Sequence, residues 1–473
     1  MILHRIRKRG RGLVALGGAA VLAATLIQPA DAATHRSGDL AERLQQTMAG
    51  LNFGDVLDTT PPGSAQARAL RAQQQAEPAR PEHAPAVSAA AATTIHQQPQ
   101  VDVAVIELDK KGRALSSGNV LMSPKYKDGV TVPVDKNLHT TAVRYRLWDT
   151  DQWDAANGQG TTDTVPGREN APLDFMEPYP ASIIKLMVGF GIMQLVDKGA
   201  IKLSDTYAYT PTKPSDRCEG ATTRTIGEYF DRMITVSDNG AACTLIKVMH
   251  EHGGVDWLNQ EFQDMGLEML QLKGTDPANG DWSPYVTMSS LDTAKLLMLI
   301  NGVSGRAWTA PNGKPVTSDV LSASSRAFFM KELGEQGWNN VLSTTNYCGY
   351  SYPTQGMPQR IAQRWIGADG TVTVNDDPTD GKYVYPAQPC QDAAEVTFAH
   401  KTGLTAFAAG DAGIVHSLPG KAKRDYIIVA FSNLGWRYID TNRPMNPPVQ
   451  PAVNRTEKFA KLGRAMDDYE ARR

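Results

Sequence analysis

Apolar residues follow three regimes along this chain. They form one long, uncharged run from Leu13 to Ile27, thin out among Ala, Gln, Pro, Arg and Ser from about Ala33 to Gln100, and from Val101 onward recur with regular periods. Alternation with period two predicts strands at Val101 to Leu108, which runs into the turn-like Asp109-Lys110-Lys111-Gly112, and at Val143 to Trp148. It returns near the end of the chain at Glu395 to Ala399, Ala412 to Ser417 and Tyr426 to Ser432. Spacings of three and four predict helices over Ile183 to Lys198, Thr225 to Met233, Gly240 to His252 and Ser289 to Ile300, with a terminal helix over Glu457 to Tyr469. Strands at both ends of a helical middle predict an α+β domain whose sheet is assembled from distant segments.

The first run is preceded by Arg5, Arg7, Lys8 and Arg9 and followed by Ala30-Asp31-Ala32, the layout of a signal peptide over 1–32 cleaved after Ala32. It falls short of the roughly 20 apolar residues a spanning helix needs. No cysteine lies near the cleavage site to take a lipid, so a secreted or extracytoplasmic product without stable membrane insertion is expected. Residues 33–100, with Gln73-Gln74-Gln75 and few large apolar side chains, predict a flexible arm. Within it, Leu40, Leu44, Met48 and Leu51 fall at helical spacing and fit a short amphipathic helix, stable or transient. The domain itself is expected over 101–473, with a surface insertion at about 347–392 rich in Gly, Pro, Asp and Gln.

Composition narrows the function. With 41% hydrophobic residues the chain can bury a sizeable core, and a net charge of -2 with both signs interspersed gives no electrostatic case for nucleic acid or an anionic membrane. A partner that is small or uncharged overall is expected, and a monomer. Cys218, Cys243, Cys348 and Cys390 are an even set for an exported protein, and of three connectivities the pairing of sequence neighbours is expected. No CxxC or HExxH spacing occurs and the 9 histidines are scattered, so neither a metal nor an organic cofactor is expected.

Three short motifs carry candidate chemistry. Ser182-Ile183-Ile184-Lys185 follows Pro180 where the helical pattern starts, which puts the Lys185 amine one turn from the Ser182 hydroxyl and the first-turn amides near a developing oxyanion. Ser237-Asp238-Asn239 sits at the break between two helical patterns, and Lys401-Thr402-Gly403 lies on a strand after His400. Each alone reads as well as a cap, a turn or a surface lysine. Their order, each on the element its role requires, is the informative feature.

In that order the chain resembles the class A β-lactamases and the wider penicillin-binding serine hydrolases, from about Val101 to the terminal helix. The resemblance implies a five-stranded antiparallel sheet with flanking helices, an all-helical lobe bearing the serine, and a site in the cleft between them. It implies Ser182 as the acylated nucleophile, Lys185 as its proton partner, Ser237 as the shuttle to the leaving nitrogen and Asn239 as a contact to the substrate's side-chain amide, with Asp238 structural. Lys401 and Thr402 would bind the substrate carboxylate, Gly403 beside them would belong to the substrate-binding strand, and the amides of Ser182 and Leu404 would form the oxyanion hole. Leu404 to Val415 is similar to the family's edge strand, turn and next strand. The deacylating Glu-x-x-Leu-Asn pattern is absent; its positional match is Asp276-Pro277-Ala278-Asn279, where Asp276 either activates water or forms an Asx-Pro turn. On the motif set, opening of β-lactam rings is the leading expectation; the missing pattern speaks for the first alternative below. A D-alanyl-D-alanine peptidase is the first alternative and a non-catalytic cell-wall-binding module the second.

Overall fold

Every residue of Val101–Leu108 (β1) is buried, and the alternation of its side chains divides them between two cores. Val101, Val103 and Val105 face one core; Ala104, Ile106 and Leu108 face the other. The strand thus lies inside a sheet covered on both faces. The computed structural model describes residues 29–60, 92–377, 381–444 and 455–473.

The sheet continues with Ala114–Ser123 (β2), Tyr126–Thr131 (β3), Val396–Leu404 (β4), Ala409–Ser417 (β5) and Asp425–Ser432 (β6), in the spatial order β4-β5-β6-β1-β2-β3, all antiparallel. Six strands replace the expected five. The added strand, β3, is a half-exposed edge with the sequence Tyr-Lys-Asp-Gly-Val-Thr, and an edge open to water needs no apolar alternation to announce itself. The segment expected as a strand over Val143 to Trp148 forms over Val143–Arg146, but it pairs in parallel with Leu173–Met176 outside the main sheet.

Helices cover both faces. In chain order they are Pro29–Leu51 (α1), Lys185–Asp197 (α2), Ile226–Thr235 (α3), Asn239–Glu251 (α4), Gly254–Met265 (α5), Ser290–Asn301 (α6), Ala323–Gly334 (α7) and Lys458–Glu470 (α8). Helices α2 to α7 form the lobe that faces Ala104 and Ile106, whereas α1 and α8 cover the opposite face. Helix α2 is buried from Lys185 to Leu195, which matches its nearly continuous apolar sequence.

The N-terminal arm needs correction. Leu40, Leu44 and Met48 are fully buried in α1 against the sheet and α8, a burial of roughly 2 kcal/mol per side chain that fixes this helix in place. Gly118 of β2 lets α1 approach so closely that an added Cβ would lie 2.9 Å from the Ala41 backbone. Val56–Asp58 then pairs with Tyr438–Asp440, and Arg437 grips the Asp58 carboxylate. The expected flexible arm is thus an ordered helix and strand up to Thr60. Residues 1–28, most of the expected signal segment, and 61–91, with the glutamine run, lie outside the described residues.

Both cysteine pairs join as expected, Cys218 with Cys243 and Cys348 with Cys390. The second staples the insertion, which has its own small core of Tyr347, Tyr352, Ile361, Val372, Val374 and Tyr385 and a hairpin of Thr371–Asp377 with Gly381–Pro386. The insertion is anchored on the sheet: Arg360 N donates to Val396 O (2.9 Å) and Val396 N to Pro358 O (3.2 Å) at the start of β4.

Candidate active site

The chain reaches the site through Pro178-Tyr179-Pro180, and one turn of 3-10 helix, Ala181–Ile184, precedes α2. Ile183 N donates to Pro180 O (3.1 Å), and Ala181 takes a left-handed φ of 49°, uncommon for a residue with a side chain. Ser182 therefore sits in a tight 3-10 turn, and Lys185 opens the α-helix proper. Three residues of separation bring Lys185 Nζ to 3.0 Å from Ser182 Oγ.

Lys185 is fully buried and has four oxygen neighbours. Two can only accept, Ser237 O (2.7 Å) and Asn239 Oδ1 (2.7 Å). The other two are hydroxyls, Ser182 Oγ (3.0 Å) and Ser237 Oγ (3.1 Å). A neutral amine has two N–H donors and one lone pair. The carbonyl and the amide oxygen take both donors, which leaves the lone pair for a serine hydroxyl to donate into. Electrostatics favour that neutral form: burial pushes the Lys185 pKa well below the usual lysine range, the Lys401 and Arg217 cations push the same way, and Asp238 opposes them.

Ser237 also has a left-handed φ, 58°, at the break between α3 and α4, and its strained backbone aims its carbonyl and hydroxyl at Lys185. Asp238 caps α4, accepting from Ala241 N (3.0 Å) and pairing with Arg232. Burial pushes the Asp238 pKa up, but the Ala241 amide and the Arg232 guanidinium outweigh it and hold the carboxyl below its usual range. This is the structural role expected of it. Asn239 begins α4 beside it.

From the facing sheet, Lys401 Nζ donates to Ser237 Oγ (2.9 Å) and to Thr402 O (2.8 Å). The Ser237 hydroxyl thus lies between two lysines. Burial lowers the Lys401 pKa to about 7, against the pull of Asp411. Gly403 is needed for close approach, because a Cβ there would lie 2.7 Å from Pro180 O and 3.1 Å from Ser182 N. Thr405 N donates to Ala408 O at the turn, so Thr405 and, two residues back, Gly403 direct their amides at β5, while Leu404 directs its amide off the sheet edge. Val396 has the same parity, and its bonds to Pro358 and Arg360 also run off the edge. Ser182 and Leu404 thus bring two amides to neighbouring backbone segments, and Thr402 is buried across from Asp411 on β5.

Asp276 is not brought to this cluster. Its Oδ1 accepts from Ala278 N (2.9 Å) in an Asx turn, and its Oδ2 accepts from the exposed Lys213 (2.8 Å), whose bond holds the carboxyl below its usual range. Among the described residues no carboxylate hydrogen-bonds Ser182 or Lys185. Several neighbouring residues had no role in the sequence reading. Arg217 is buried and paired with Asp281 (2.6 Å). It lies over the ring of Trp282 (4.3 Å), whose Nε1 donates to Tyr179 OH (2.9 Å). Behind Lys401, the His400 ring lies between Asp411 (2.7 Å) and Asn339 Oδ1 (2.8 Å). Only Asp411 carried a signal, as a lone acid inside an apolar strand.

Comparison with known proteins bears on this geometry. Residues 176–345 match the family described as the beta-lactamase enzyme family, a span that holds Ser182, Lys185 and Ser237-Asp238-Asn239 and ends before Lys401. No curated protein matches the chain. Among solved structures, a mutant of PBP-A in acyl-enzyme complex with penicillin G is 17% identical, with 78% of this chain and 90% of that one covered at a TM-score of 0.41. A beta-lactamase from Chitinophaga pinensis is 19% identical over 78% of this chain and 93% of its own, TM-score 0.38. An ancestral class A beta-lactamase is 14% identical over 86% and 99%, TM-score 0.39.

Proposed function

We propose that this chain, whose residues 176–345 match the beta-lactamase enzyme family, is a serine hydrolase that opens β-lactam rings through an acyl-enzyme on Ser182. The observation that carries the reading is the hydrogen-bond set of Lys185, whose two pure acceptors leave its lone pair for the Ser182 hydroxyl. Lys185 takes the Ser182 proton as Oγ attacks the carbonyl carbon, and the amides of Ser182 and Leu404 receive the oxyanion. Ser237, hydrogen-bonded to both lysines, passes a proton to the ring nitrogen as the C–N bond breaks, and Lys401 with Thr402 anchors the substrate carboxylate. Asn239 keeps its amide N–H groups for the substrate's side-chain amide.

A second reading, a D-alanyl-D-alanine peptidase, is favoured by one observation: among the described residues no carboxylate hydrogen-bonds Ser182 or Lys185 where it could activate a deacylating water, and Asp276 is engaged elsewhere. The two readings share acylation and differ in release. We also place the mature chain outside the cytoplasm, a reading its two disulfides support. Among the described residues no helix is long and apolar enough to cross a membrane.

Incubation with a fluorescent penicillin, followed over time by mass spectrometry, tests the proposal. Transient labelling of Ser182 supports the lactamase, persistent labelling the peptidase, and labelling that survives Ser182→Ala overturns both.

A further inference from the structure

We propose that Asn339, bonded to His400, is a positioning residue for the Ser237 proton shuttle: the pair ties the Lys401 strand to the end of α3 and so sets the spacing of Lys401 and Ser237 across the cleft. The inference rests on the reading of Ser237 as proton donor to the leaving nitrogen. Ser237 belongs to the helical lobe and Lys401 to the sheet, so the 2.9 Å bond between them joins two layers of the fold. His400 precedes Lys401 on β4, and its ring therefore points to the opposite face of the sheet, where it stacks on Phe398 (4.1 Å). There its Nδ1 lies 2.7 Å from Asp411 Oδ1 and its Nε2 2.8 Å from Asn339 Oδ1. Asn339 Nδ2 donates to Gln336 O (3.3 Å), which turns the amide oxygen toward the ring and makes His400 Nε2 the donor of that bond. Asp411 also accepts, through Oδ2, from Leu342 N (3.2 Å). The segment 339–342 is thus held to the sheet at two points, and the side chains of His400 and Asp411 are fully buried.

The residues just before Asn339 reach the helical lobe. Gln336 Nε2 donates to Ile234 O (2.8 Å), Gly337 N to Thr235 O (2.8 Å) and Trp338 Nε1 to Val236 O (3.0 Å). These are three consecutive carbonyls at the end of α3, where a helix leaves its last carbonyls without partners of its own, and the next residue is Ser237 with its left-handed backbone. Water could satisfy such carbonyls. Donors on a segment bolted to His400 and Asp411 do more, because they fix where α3 ends relative to β4. Bonded contacts therefore run without a gap from the Lys401 strand through His400, Asn339 and the Gln336 to Trp338 segment to the turn that carries the Ser237 hydroxyl.

The test is single-turnover acylation by two reagents. A fluorescent penicillin has a leaving nitrogen that needs the Ser237 proton and a carboxylate that needs Lys401. An uncharged 4-nitrophenyl ester needs neither, because nitrophenolate departs without a proton, yet it still requires Ser182 and Lys185. Asn339→Leu, which deletes the link to the ring, should slow acylation by the penicillin about 10-fold and leave acylation by the ester within about twofold of wild type. Trp338→Phe removes a single N–H from a half-buried ring and should give the same split at about threefold, which keeps the inference testable if Asn339→Leu does not fold. Equal losses with both reagents, the mark of a general structural defect, or an unchanged penicillin rate in a folded variant, overturn the inference. Wild-type protein that the penicillin does not acylate would instead overturn the proposed function.

Discussion

Substitution of Gly403 by alanine adds one carbon at the point where β4 meets the nucleophile turn. That carbon would lie 2.7 Å from Pro180 O, 3.0 Å from Ile183 Cγ1 and 3.1 Å from Ser182 N, against ordinary contacts of 3.4 Å and beyond. None of these neighbours yields easily. Pro180 and Ser182 contribute backbone atoms of a tight turn, Ile183 is fully buried, and β4 is locked to β5 over nine consecutive residue pairs. The strand and the turn must therefore part by several tenths of an ångström. Overpacking of this kind costs roughly 1–3 kcal/mol of stability. The catalytic cost should be larger, because parting moves the Ser182 amide relative to Leu404, and misplacement by about 1 Å costs on the order of 100-fold in rate. Gly403→Ala should acylate between about 10- and 100-fold more slowly than wild type while still folding, read by stopped-flow labelling with a fluorescent penicillin beside urea unfolding. An acylation rate within about twofold of wild type would refute the close approach as a catalytic constraint.

Other outcomes follow from the same geometry. Lys401, with a pKa near 7, is charged below that pH and neutral above it, so the KM for a carboxylate-bearing penicillin should rise as pH rises through about 7; a flat KM would remove Lys401 as the anchor. Asp276→Asn should leave deacylation unchanged, since the Asp276 carboxylate serves an Asx turn and Lys213; trapping of the acyl-enzyme, followed by mass spectrometry, would return Asp276 to the mechanism. Replacing both Cys218 and Cys243 by serine opens a bridge of sequence separation 25 and should lower stability by about 3.5 kcal/mol, seen as a lower urea midpoint; an unmoved midpoint would mean that the loop is held by Arg217 and Asp281 alone.

What the sequence could show of the site followed from local geometry. Ser182 with Lys185 and Ser237 with Asn239 are spaced by one helical turn or less, so a motif on the right element fixes their relation, and Lys401 follows from a strand whose apolar pattern is plain. Arg217, Asp281, Trp282 and Tyr179 meet from three separate segments, and no spacing encodes that meeting. Asp276 stayed open between a turn and a water-activating carboxylate because its neighbours Pro277 and Asn279 suit both, and its bonds to Ala278 N and Lys213 are those of the turn. In the fold, β1, β4, β5, β6 and the helices with a clear apolar face were legible, whereas the inner strand β2 was not, because Ser116, Ser117, Gly118 and Asn119 interrupt its apolar pattern. Helix α5 was not, because Gly253 and Gly254 read as a turn although Val255, Leu258, Phe262 and Met265 recur behind them. Helix α7 has almost no apolar stripe to read. The arm was read as flexible because α1 gains its burial from β2, β3 and α8, contacts visible only once the sheet exists.

The anchoring of the insertion at the start of β4 has a further consequence. A sheet border with free peptide groups is a template onto which another polypeptide can zip, the usual beginning of unwanted self-association. Here Pro358 and Arg360 cap that border at Val396, and Gln359 reaches Phe398 O, so the stretch left open is short and ends at Leu404. A long chain finds too little track to extend a ladder, whereas a short peptide terminus, or a strained ring of similar shape, needs no more. The insertion thus shortens the open part of this border and leaves fewer peptide groups for another chain to pair with.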